Sequence, residues 1–135
     1  MIQPNRIEIQ RLFAVAQREL ADAAVVGISS DGSFEHAYAA ALTLATAALR
    51  ADGHRIHGPD HHRQTFDGLR SIAGEQWRDA ADYFQQCRKR RNVSAYDQVG
   101  TVSTAEATDL RKSVAEFAAE LRVWLKEAHP EIAPG

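Results

Sequence analysis

FEHAYAAALTLATAALRA, residues 34–51, decides the fold. Phe34, Tyr38, Ala41, Leu42, Ala45, Ala48 and Leu49 recur at steps of three and four, the spacing of one helical face. Alanine has the highest intrinsic helix propensity, and the run holds no glycine or proline. The spacing therefore predicts a helix over residues 33–51. Its alanines let neighbouring helices approach closely, which suits a central helix packed on several sides and implies no chemistry.

Working outward, the same period marks four more helices. Residues 5–25 carry Ile9, Leu12, Phe13, Ala16, Leu20, Ala23 and Ala24 at helical spacing, with Asn5 as cap and Gly27 as terminator. Ser30, Asp31 and Ser33 offer capping oxygens before the central helix. ADGHRIHGPDHH, residues 51–62, is broken by Gly53, Gly58 and Pro59 and reads as a loop. Short apolar series then predict helices over 62–73 (Phe66, Leu69, Ile72) and 76–92 (Trp77, Ala80, Phe84, Cys87). Ser103 and Glu106 form a capping-box pair ahead of Leu110, Val114, Phe117, Leu121, Trp124 and Leu125, and Pro130 stops that helix. Five helical segments without an alternating strand predict an all-α, antiparallel bundle. At 135 residues, 1–135 reads as a single domain.

The net charge of −2 argues against a broad basic surface for nucleic acid but leaves room for a local basic patch. Cys87 is the lone cysteine, which excludes an internal disulfide and fits a reducing compartment. The N-terminal residues lack the apolar core of a secretory signal, and no apolar run approaches the roughly 20 residues of a membrane span. The expectation is a cytoplasmic protein with no membrane partner.

Two stretches carry the candidate chemistry. His54, His57, His61 and His62 share the 51–62 loop. Imidazoles bind zinc, but this spacing matches no metal motif with a carboxylate partner, so no metal and no cofactor are assigned. His62 opens the third helix, where it could point into a cleft. The second stretch is RKRRNVSAYD, residues 88–97. Cations in the last turn of a helix complement its dipole, which accounts for Arg88 to Arg90 as a solvated helix end. Arg91 instead prolongs the stripe Trp77, Ala80, Phe84, Cys87 and should face inward. There a guanidinium needs a carboxylate, a carbonyl or a bound anion.

The order of helices, the alanine-rich FEHAYAAALTLATAALRADGHR and the later Arg91-Asn92 followed by Tyr96 resemble the HEPN superfamily over about residues 6–126. The details are similar to small stand-alone bacterial HEPN proteins. The superfamily motif is an arginine, often followed by a polar residue, then a histidine with four to six residues between. Arg91-Asn92 matches its first half and, with four residues between, Tyr96 stands instead of histidine. Arg90 also satisfies the spacing, with five residues intervening.

The resemblance implies a homodimer with the motif helices meeting across a shared cleft. It also implies a link to toxin–antitoxin or defence systems, with an antitoxin or nucleotidyltransferase-like protein as partner. In active members the implied reaction is metal-independent RNA cleavage by a ribose 2′-hydroxyl, which needs a base and a cation for the developing phosphorane charge. Tyrosine titrates near 10 and makes a poor base at neutral pH.

The expected function is thus an anion-, RNA- or nucleotide-binding cleft built on Arg88, Arg90 and Arg91, without catalysis or with weak activity. One alternative is an endoribonuclease toxin using Arg91, Asn92, Tyr96 and His62, the last supplying the missing base. The other is a structural or protein-interaction dimer without a ligand site.

Overall fold

The protein is an all-α bundle, with five helices among the described residues: α1 (Arg6–Ala23), α2 (Ser30–Ala51), α3 (His61–Ile72), α4 (Arg78–Tyr96) and α5 (Thr104–Ala128). This computed structural model describes residues 4–96 and 102–134, with all their side chains except those of residues 93–96. Cross-helix contacts fix the directions. Arg55 near the end of α2 bonds Glu8 at the start of α1 (2.6 Å), while Ser33 at the start of α2 donates to the Ala23 carbonyl (2.7 Å). The two helices are therefore antiparallel. Likewise Arg90 meets Glu106 and Trp77 meets Trp124, so α4 and α5 are antiparallel. Gln85–Asp67 and Arg70–Asp82 make α3 and α4 antiparallel too.

Helix α2 packs against all four others, as its alanines foretold. Ala37, Ala40, Ala41, Ala45, Ala47 and Ala48 are fully buried, around nearly the whole circumference of the helix. Gly68 of α3 serves the same end: a Cβ there would lie 3.0 Å from a Leu49 methyl. The core is one apolar cluster joining Ile9, Phe13, Leu44, Phe66, Trp77, Phe84, Phe117 and Leu121 from the five helices and their junctions. Burying each large side chain contributes about 1.5–3 kcal/mol.

The caps follow local chemistry. Asn5 Oδ1 accepts from the Glu8 amide (2.8 Å), and Ser103 and Glu106 close a reciprocal capping box. Helix α2 begins earlier than the spacing implied. Its cap is Ser29, whose hydroxyl accepts from the Gly32 amide (3.0 Å), and the other candidate caps do different work. Ser33 is buried against α1, and Asp31 accepts from the Val102 amide (3.4 Å).

The larger departure is α4, which runs to Tyr96 and has no basic residue in its last turn. No glycine or proline interrupts residues 75–96. The basic run therefore lies inside the helix, and matching the dipole of a helix end does not explain it.

Candidate functional site

Residues 88, 91 and 92 share one face of α4, because steps of three and four bring side chains into line. That face meets the start of α3, and between them opens a cleft of about 300 Å³ lined by Asp60, His61, His62, Arg88, Arg91 and Asn92. Arg90, two residues from Arg88, points the other way. Its Nε and Nη2 donate to the two Glu106 oxygens at 2.7 and 3.1 Å, on the side facing α5. That pairing, with the Ser103 amide, holds the Glu106 carboxyl down to about 2. The structure thus separates the candidate anion-binding arginines: Arg88 and Arg91 line the cleft, and Arg90 is bound elsewhere.

Arg91 is half-buried, as its place on the stripe required, and its partner is a carboxylate. Its Nε donates to both Glu35 oxygens, at 2.9 and 3.0 Å. Its guanidinium carbon lies 5.2 Å from the centre of the Tyr38 ring, within cation–π range. Tyr38 is buried, and its hydroxyl lies 3.0 Å from His62 Nδ1. Burial pushes the Tyr38 phenol up to about 12 against the opposing pull of Arg91 and Arg88, so it stays protonated. Desolvation lowers the His62 pKa, with further contributions from His61, Arg91 and Arg88, so His62 is neutral at pH 7.

Arg88 differs from its neighbours. Its Nε donates to the neutral Gln85 Oε1 at 2.8 Å, and among the described residues it forms no ion pair. Across the cleft, Arg63 bonds Asp60 and also Asp67 (2.9 Å), so that cation is matched by carboxylates. Asp60 turned toward Arg63 makes no side-chain bond to the α3 amides, and the N-terminus of α3 borders the cleft. Two adjacent imidazoles, an arginine without an ion pair among the described residues and a second arginine held by an exposed carboxylate together suit a compact anion.

His61 is exposed and stacks edge-on against His62 (4.5 Å between centroids). Its Nδ1 lies 2.9 Å from the Gly58 carbonyl, which only accepts. The Nδ1 therefore carries a hydrogen and donates it to that carbonyl. His62 Nδ1 faces a hydroxyl that both donates and accepts, so either tautomer satisfies that bond.

Of the residues singled out by the sequence, Arg88, Arg91, Asn92 and His62 come together here. The Tyr96 side chain lies outside the described residues. The tyrosine touching Arg91 is Tyr38, which the apolar pattern of α2 had filed as core. Glu35 was missed because it stands one step off that pattern. Its only sequence signal is the i, i+3 relation to Tyr38. The loop histidines do not gather as a metal site. Among the described residues, the trio with ligand atoms within 4.8 Å of one another is Glu19, Asp22 and His36. There Glu19 already bonds His36 Nδ1 (2.8 Å). None of the helices described is long and apolar enough to cross a membrane.

Compared with known protein families, residues 21–122 match the model of the SAV_6107-like HEPN family. That match covers α2 to α4 whole, with the end of α1 and most of α5. No curated protein and no solved structure gives a match.

Proposed function

The chain belongs to the SAV_6107-like HEPN family, and from that premise we propose that the α3–α4 cleft binds a phosphate-bearing ligand, an RNA or a nucleotide. The observation that carries this reading is Arg88, a cation with no carboxylate partner among the described residues, beside Arg91 in the same cleft. Arginine recognises phosphate through its fixed fork of donors, and the first amides of a helix favour the same charge. Glu35 occupies Arg91 in the free protein and acts as the internal competitor for the ligand. A two-fold dimer of the HEPN kind would place two such arginine pairs in one basic site on a protein of net charge −2. An antitoxin or nucleotidyltransferase-like protein is the partner this membership suggests.

The test is binding of a short single-stranded RNA to wild type, Arg88→Ala and Lys89→Ala, the last an exposed cation outside the cleft. Arg88→Ala should weaken binding several-fold, and Lys89→Ala should change it little. Equal losses in both would reduce the interaction to nonspecific charge.

A second reading, metal-independent RNA cleavage, is favoured by His61 and His62. They put two imidazoles beside Arg91, where Tyr96 stands in the motif in place of a histidine. Either ring could take the 2′-hydroxyl proton while Arg91 and Arg88 hold the phosphorane. Cyclic phosphate ends formed by wild type and lost in Arg91→Ala would establish that reading. Intact RNA after prolonged incubation with wild type would leave binding alone.

A further inference from the structure

A second cleft opens beside the first. It measures about 480 Å³ and lies between the C-terminal half of α2, the histidine loop and the start of α3. Leu49 and Ile56 give it an apolar floor, and Arg50, His54, His57 and His61 give it a polar wall. His61, an exposed side chain, lines both clefts. The lining residues include a cation and no carboxylate. The nearest counter-charge to Arg50 is Glu8 Oε2 at 3.6 Å, and Arg55 holds that same oxygen more closely, at 2.6 Å. One carboxylate thus serves two guanidinium groups, and a second, Asp52, lies 3.2 Å from Nε2 of the lining His54.

We propose that this second cleft is a nucleoside subsite, so that the ligand is an oligoribonucleotide with one phosphate at Arg88 and Arg91 and a neighbouring nucleoside in the histidine cleft. The inference rests on the phosphate-binding reading of the first cleft and extends it. Three features of the second cleft support it. An unstacked base offers a flat apolar face and a polar edge, and the leucine and isoleucine floor beside imidazole rings matches both. The volume exceeds that of the first cleft and suits a base with its ribose more than a lone ion. The shared lining residue makes the clefts neighbours that a single strand can straddle, with His61 against the linking sugar.

The test measures affinity of the full chain for inorganic phosphate, adenosine monophosphate and a ten-residue oligoadenylate. Wild type is compared with His57→Ala, which removes an exposed ring, and with Ile56→Trp, which fills the cleft. The expected result is oligoadenylate binding weakened about fivefold to a hundredfold, the range for losing a base-stacking partner, with phosphate affinity unchanged within about twofold. If both variants leave the oligoadenylate-to-phosphate ratio at its wild-type value, the subsite is refuted while phosphate binding stands. If wild type binds neither phosphate nor any nucleotide, the first-cleft reading fails and this one falls with it.

Discussion

Glu35 is the residue that sets the resting state of the cleft. It holds Arg91 through two short contacts from an exposed position, so its carboxylate competes with any incoming anion. Glu35→Gln should therefore tighten RNA binding several-fold without loss of thermal stability, measured by titration and by melting. Weaker binding would show instead that Glu35 positions Arg91 for the ligand. His62 gives the same cleft a pH dependence. Its pKa is depressed in the free protein, so the cleft gains positive charge only as the pH falls below 6.5, the ordinary histidine value. A phosphodiester, which does not titrate in this range, should bind more tightly at pH 5.5 than at pH 8. The paired change His61→Gln and His62→Gln should flatten that profile. The sign for stability is opposite. Because the folded state resists protonating His62, its contribution is full above the unfolded value and is lost as pH falls through the folded one.

At the scale of elements, much was legible and the reasons for the misses are specific. Helical period and capping residues located five helices, and the Ser103–Glu106 box stands as the spacing required. Ser103→Ala should cost about 1 kcal/mol of unfolding free energy, as loss of an N-cap does. A loss much larger than this, read from denaturant unfolding, would mean that the cap also holds the Arg90–Glu106 pair in place. The end of α4 was not legible. Asn92, Val93 and Ser94 are weak helix formers without being breakers, so local propensity gave no boundary. That error mattered, because it made the basic run look like a helix end. The inward turn of Arg91 was readable from period alone, whereas Glu35 and Tyr38 as its companions were not. Contacts between α2 and α4 join residues more than fifty positions apart, and no single-helix pattern encodes them.

For the whole molecule, the fold places its chemistry where three helices converge. Helix α2 supplies Glu35 and Tyr38, α3 supplies His61 and His62, and α4 supplies Arg88, Arg91 and Asn92. The alanine surface of α2 and the missing Cβ of Gly68 permit that convergence by letting α2 and α3 close on one another. Gly68→Val should push α3 off Leu49 and weaken both folding and RNA binding. A variant that folds stably and keeps wild-type affinity would contradict this link between packing and site.

The central claim, that the Arg88–Arg91 cleft holds a phosphate, is tested most directly by titrating single-stranded RNA into wild type and Arg91→Ala over a range of salt concentrations. Loss of a charge-assisted hydrogen bond worth about 1.5–3 kcal/mol predicts affinity at least tenfold weaker in the variant, at unchanged thermal stability. The wild-type affinity should also fall steadily with salt as phosphate contacts are screened. Equal affinity in wild type and variant, or wild-type binding indifferent to salt, would contradict the account.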